Sequence, residues 1–217
     1  MRHGQTHANV AGQLDTAHPG LDLTALGMRQ AAAAARALGE TVIENIYVSS
    51  RVRTHQTALP TAQARQYAST QLAGLEEFHA GDFEMRDDAD AIHGYIGTVT
   101  SWITGDLGVR MPGGETGHQF LDRYDAAIRA IVDAGHDSAM VVSHGAAIRA
   151  WTAARMHAGS VVPNPTAPLH NTALIVLEGD PGSGWRLAEW HGEPYGGAYL
   201  DDAVAVDPTG NAPTSGA

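Results

Sequence analysis

Neither cysteine nor lysine occurs anywhere in the 217 residues. Without cysteine the chain has no disulfide framework, no thiol nucleophile and no cysteine-ligated zinc, and an intracellular setting is permitted. Without lysine, all 13 basic residues are arginines, set against 24 acidic ones for a formal net charge of -11. No basic stripe is available to release phosphate counterions, which argues against nucleic acid as a partner. No apolar run is long enough to span a bilayer, and no charged segment leading into an apolar one opens the chain. The expected location is the cytoplasm, with no membrane partner. GC-rich coding accounts for the arginine bias, yet an acidic protein that handles an anion needs a local positive pocket, so arginines beside candidate chemistry carry weight.

Short apolar runs alternate with longer Ala-rich stretches. Strands are expected at Ile46–Ser49, Ala139–Ser143, Ala173–Leu177 and, more weakly, Trp185–Trp190, the first three reading as buried. Thr24 can cap a helix through the Ala31–Ala35 run, with Gly39 as its stop. A helix from about Thr54 is expected to kink or end at Pro60. Thr116 and Gln119 fit a capping box for a helix carrying Phe120, Tyr124, Ile128 and Ile131 inward, and a last helix opens at Gly145. This alternation favours an α/β layer fold with a mostly parallel sheet. Asp201–Ala217 has no period and reads as a flexible C-terminal tail after a single domain over residues 1–200.

Four separated segments hold phosphate-compatible groups beside a glycine or at a strand end. Arg2-His3-Gly4 offers an imidazole nucleophile, a guanidinium able to clamp phosphate oxygens and a residue without a side chain, with Asn9 close behind. Arg53 stands at the head of a helix after a strand, where the helix terminus adds partial positive charge. His144, in Ser143-His144-Gly145, also lies where a strand enters a helix, at the sheet edge where ligands gather. Glu76, Glu77 and Glu115 are candidates for the carboxylate that protonates a leaving oxygen and then activates water. Each segment alone is compatible with a structural role.

In this order the four segments resemble the histidine phosphatase superfamily, also called phosphoglycerate mutase-like, over Arg2 to about Leu177. Supporting positions are Leu23–Gly27 with Gln30-Ala31, Gln56-Thr57-Ala58, Pro112–Glu115 and Arg149. The resemblance implies a three-layer αβα sandwich. It also implies a metal-independent phosphatase of the histidine acid phosphatase type, with no cofactor, acting on a small phosphorylated metabolite through a phosphohistidine. His3 is then the nucleophile. Arg2, Arg53 and His144 bind the phosphoryl group, Asn9 and Gly4 are auxiliary contacts, and Glu77 is the proton donor with a raised pKa, Glu76 being the fallback.

The chain departs from the family at two places. Members enter Arg-His-Gly from an apolar strand, whereas only Met1 precedes Arg2 here, so the first strand is largely missing and His3 is expected to be loosely held unless residues upstream restore it. Met85 stands where many relatives have glycine. Two further readings follow. A phosphoglycerate mutase is disfavoured by Ala8 before Asn9 and by Gly12-Gln13, where dedicated mutases carry tryptophan. A phosphate-binding module inactive for lack of the first strand is the other. Ser143 lacks a Gly-x-Ser-x-Gly elbow, His3 and His7 lack a His-Glu-x-x-His context, and Asp82, Asp87, Asp88 and Asp90 read as a solvated loop. The substrate wall is expected near Phe78–Gly97 and Val109–Gly114, with core packing favoured for Tyr95 and Trp102. Oligomeric state and physiological substrate stay open.

Overall fold

Ile46 and Val48 point to one side of a short strand and Tyr47 to the other, and all three are buried. A strand buried on both faces must lie between layers. In the computed structural model, which describes residues 1–157, 168–205 and 207–209, the elements in chain order are α1 (His7–Ala11), α2 (Ala25–Ala37), β1 (Asn45–Val48), α3 (Val52–Arg65), β2 (Thr70–Gln71), α4 (Ala89–Ile103), α5 (Gly117–Asp133), β3 (Ala139–Val142), α6 (Gly145–Arg155), β4 (Leu174–Asp180) and β5 (Gly184–His191). The parallel sheet runs β2-β1-β3 and is small. Ile46 and Val48 share a core with Ala34, Leu38, Ala58 and Ala62 from the α2–α3 side. Tyr47 shares the opposite core with Tyr95, Trp102, Phe120, Tyr124 and Trp151 from α4, α5 and α6. That is the three-layer αβα arrangement.

Met1–His3 is paired on both sides, although it forms only an isolated bridge, Arg2 to Ser143, and no full strand. The Met1 nitrogen donates to Val141 O at 2.8 Å, Ser143 N to Met1 O at 2.9 Å and His3 N to Ser143 O at 3.0 Å. On the other flank Arg2 N donates to Ala173 O at 2.9 Å and Thr172 N to His3 O at 3.2 Å. The expected looseness of His3 is therefore corrected. Three residues suffice to hold the His3 backbone because both neighbours supply partners for it.

Several elements differ from their sequence signals for identifiable reasons. α3 continues through Pro60 to Arg65, since burial of Ala58, Thr61 and Ala62 on either side outweighs one lost backbone hydrogen bond. β4 is half-exposed: among the described residues it pairs only with β5, as an antiparallel hairpin of which Leu177 and Trp185 pack on the core that holds Tyr47. The acidic run is no loop throughout, because Asp88 caps α4 by accepting from Ala91 N at 3.2 Å. The expected capping box on α5 is present, with Thr116 N donating to Gln119 Oε1 at 3.0 Å and Gln119 N to Thr116 Oγ1 at 3.3 Å. Met85 adopts φ +60°, a left-handed conformation that glycine reaches without cost. Of the 201–217 stretch, Asp207 and Thr209 are buried and hydrogen-bonded, so the tail is anchored at these residues.

Residues 3–5 are laced to the start of α2. Thr24 N donates to Gln5 O at 2.8 Å and Gln5 N to Gln30 Oε1 at 2.8 Å, an approach close enough that a Cβ on Gly27 would stand 2.1 Å from Gln5 O. Gly27→Ala is expected to cost about 1–3 kcal/mol through this backbone clash. Urea unfolding measures it, and an unchanged midpoint would show that the two segments are free to separate.

Candidate active site

His3 sits where the bridged segment leaves the sheet. Its Nδ1 lies 2.7 Å from Gly4 O. A carbonyl can only accept, so Nδ1 carries the proton and Nε2 keeps its lone pair, the form a nucleophile needs. Gly4, the expected auxiliary phosphate contact, has its backbone engaged within the protein. Its N–H is given to Thr57 Oγ1 at 2.9 Å, and the position requires glycine because a Cβ would meet Gly27 O at 2.8 Å. His144, the residue before α6, places its ring edge-on to His3 with centroids 5.2 Å apart. Its Nε2 is 2.8 Å from Ser49 Oγ, while its buried Nδ1 finds no partner among the described residues.

His3, Asn9, Asp15, Arg53, Glu77 and Thr209 line one cavity of only about 10 Å³. Arg2 touches that lining at Thr209 and His144 at His3. Arg53, in the first turn of α3, is buried against the loop before α2. Its NH2 donates to Asp15 O at 3.0 Å and its NH1 to Asp15 Oδ2 at 3.4 Å, across a seat that Gly20 (φ +76°) leaves open. Arg2 gives NH1 to Leu169 O at 2.7 Å and NH2 to Asp207 and to Thr209 Oγ1, the last at 3.2 Å. Asn9 accepts from Thr6 N at 2.9 Å and donates Nδ2 to Asp207 Oδ1 at 3.1 Å.

The structure separates the three candidate carboxylates. Glu77 faces the cavity and accepts from Ala146 N at 3.0 Å, Ala147 N at 2.8 Å and Phe78 N at 3.1 Å, with Phe78 anchored in the core against Phe120 and Trp102. Burial raises the Glu77 pKa above the usual carboxylate value, against the lowering effect of those amides and of Arg2. Glu76 turns away to Gly74 N at 2.6 Å and Ser50 N at 3.3 Å. These bonds hold its pKa low in spite of burial. Glu115 is taken up by Arg123, whose Nε and NH2 meet its two oxygens at 2.9 and 2.7 Å.

Arg123 was not foreseen as a site residue. Its NH1 donates to Gly74 O and Glu76 O, both at 2.9 Å, and its NH2 to Glu77 O at 3.1 Å, so it holds the backbone that carries Glu77. A lone arginine on a helix carries no sequence signal for that task. Tyr124 extends the same support: its hydroxyl donates to Ser143 Oγ at 3.1 Å, and Ser143 Oγ donates to Leu75 O at 2.7 Å. Tyr95 and Trp102 belong to the core, although Tyr95 also borders a small cavity with Arg149 and Pro208.

Comparison with known proteins identifies the family. The family model described as the histidine phosphatase superfamily (branch 1) matches residues 1–192. A PE-PGRS family protein of Mycobacterium tuberculosis is 36% identical over 95% of this chain, and the chain spans 38% of that protein's length. An adenosylcobalamin/alpha-ribazole phosphatase of Salmonella typhimurium is 31% identical over 66% of this chain and 71% of its own. A probable phosphoglycerate mutase of Proteus mirabilis is 33% identical over 68% and 69%. Among solved structures, the mycobacterial glucosyl-3-phosphoglycerate phosphatase superposes with a TM-score of 0.71 at 27% identity, covering 88% of this chain and 95% of that one.

Burial, and then the charge of Arg53, lower both His3 and His144 well below the ordinary histidine value of 6.5. The unfolded chain takes up protons at these rings as pH falls through that value and the folded chain does not. Stability is therefore expected to decline on acidification, by up to about 1.4 kcal/mol per pH unit for each ring. Glu77 acts in the opposite sense, because its raised pKa lets the folded state bind a proton first. Urea midpoints from about pH 7 to about pH 5 read the balance. In Glu77→Gln, which removes the opposing contribution, a midpoint that does not fall would mean that the rings are already protonated in the folded protein.

Proposed function

Because the chain belongs to the histidine phosphatase superfamily, we propose that it is a phosphomonoester hydrolase whose nucleophile is His3. The observation that carries this reading is the fixed tautomer: Nδ1–H is spent on Gly4 O, leaving Nε2 as a lone pair on a ring kept neutral by burial beside arginines. Nε2 attacks phosphorus, the bond to the ester oxygen breaks, and Glu77 gives that oxygen its proton. Water then attacks the phosphohistidine, Glu77 takes a proton from the water, and inorganic phosphate leaves with His3 neutral again. Arg2, Arg53 and the Nδ1 side of His144 are the donors for the three equatorial oxygens, with Asn9 beside them.

The raised pKa of Glu77 supports its part as the acid, and its position on the cavity favours it over Glu76 and Glu115. The steps need no metal or cofactor, and the substrate is a small phosphorylated metabolite. A histidine acid phosphatase character follows from the two pKa directions. The acid limb of kcat/KM lies below the usual histidine range and the alkaline limb lies above the usual carboxylate range.

Quenching in alkaline detergent after mixing with a ³²P-labelled ester tests the nucleophile: a phosphoenzyme stable in alkali and lost in acid forms with the unaltered chain and is absent in His3→Asn. Glu77→Gln is expected to lower kcat/KM by about 10²–10⁴ for an alkyl phosphate and far less for p-nitrophenyl phosphate, whose leaving group needs no proton. An equal loss on both esters would remove Glu77 from the acid role. Release of phosphate without isomerisation of 3-phosphoglycerate separates the hydrolase from a mutase.

A further inference from the structure

The cavity beside His3 holds at most about one water molecule, whereas a phosphoryl group brings several oxygens of that size. Something in its wall must leave before an ester can enter. Most of the wall is fixed: His3 by pairing on both flanks, Arg53 within α3, and Glu77 by three backbone amides. Thr209 is different. It belongs to the short segment Asp207–Thr209, outside any helix or strand, which reaches the site from the far end of the sequence.

That segment is built like an occupant of the site. The Asp207 carboxylate places one oxygen on Arg2 NH2 and the other on Asn9 Nδ2, at 3.1 Å for the latter. Thr209 adds its hydroxyl to the same Arg2 NH2 at 3.2 Å, and its carbonyl accepts from Arg149 NH2 at 3.0 Å. The seat is shaped for it, since a Cβ on Gly145 would stand 2.7 Å from the Thr209 carbonyl oxygen. A carboxylate on a guanidinium and an amide offers negative charge and two acceptor oxygens to the same donors that suit a phosphoryl group.

Resting on the assignment of the phosphoryl site to His3 and Arg2, we infer that Asp207–Thr209 is an internal phosphate mimic: a strap whose Asp207 carboxylate occupies part of the phosphoryl cradle and must be displaced by the substrate. The protein is thereby self-gated, and its affinity for phosphate is reduced by the fraction of molecules with the strap in place. A carboxylate that merely oriented Arg2 would act in the opposite direction, because its loss would weaken phosphate binding.

Titration of the 217-residue chain with inorganic phosphate, followed by ³¹P NMR or calorimetry, distinguishes these roles. Asp207→Asn is expected to tighten phosphate binding by roughly tenfold, as the competent fraction rises. Asp202→Asn removes an equal charge from the same stretch, where Asp202 accepts from Gln5 Nε2 at 2.9 Å, and is expected to stay within about twofold of the unaltered chain. Equal tightening in both variants would reduce the effect to net charge and overturn the strap, as would unchanged or weaker binding in Asp207→Asn. If no variant binds phosphate, the phosphoryl-site assignment falls along with the strap. Amide exchange in the unaltered chain gives a reading free of substitutions. Saturating phosphate is expected to accelerate exchange at Asp207 and Thr209, and undiminished protection there would refute displacement.

Discussion

Guanidinium groups withdrawn from water must find oxygen partners, and this requirement shapes the periphery of the site more than any other. Arg2, Arg53 and Arg149 are all buried, the first two beside His3 and Arg149 beside Arg2. Between them they draw three stretches of chain inward. The loop before α2 supplies Asp15 to Arg53, the turn before β4 supplies the Leu169 carbonyl to Arg2, and the segment near the C-terminal end supplies Asp207 and Thr209 to Arg2 and Arg149. In a chain of net charge -11 with arginine as its only cation, concentrating three of them in one place creates the field an anionic substrate requires.

Local patterns carried the fold as far as local physics reaches. The Thr24 and Thr116 caps, the β-branched runs of β1 and β3 and the inward face of α5 were legible because each rests on neighbouring residues alone. The short α1 and the continuation of α3 past Pro60 were not, since both depend on what packs against them. The Met1–His3 segment shows the same limit more sharply. Three residues carry no strand signal, yet they are paired because Val141, Ser143, Thr172 and Ala173, distant in sequence, converge on them.

The candidate site divides along the same line. Motif residues with their own chemistry, His3, Arg53, His144 and Glu77, are legible in the sequence. The choice between adjacent Glu76 and Glu77 could not be derived from side-chain type, because identical carboxyls differ only in what they face: Glu76 meets amides of its own loop, and Glu77 meets the start of α6. Arg123 and Asp207 escaped notice altogether. Their contributions exist only through carbonyls and guanidiniums brought close by the fold, and Asp207 lay in a stretch whose composition gave no sign of order.

Glu77 also serves as the cap of α6, accepting from the amides of Ala146 and Ala147. In the proposed cycle this carboxyl alternates between neutral and anionic. A helix end gains from a nearby negative charge and loses that gain when the charge is neutralised. Each turnover would then tighten and slacken the first turn of the helix whose next turn bears Arg149. Proton inventory at one side chain thereby becomes a mechanical rhythm, felt by an arginine that never exchanges a proton itself.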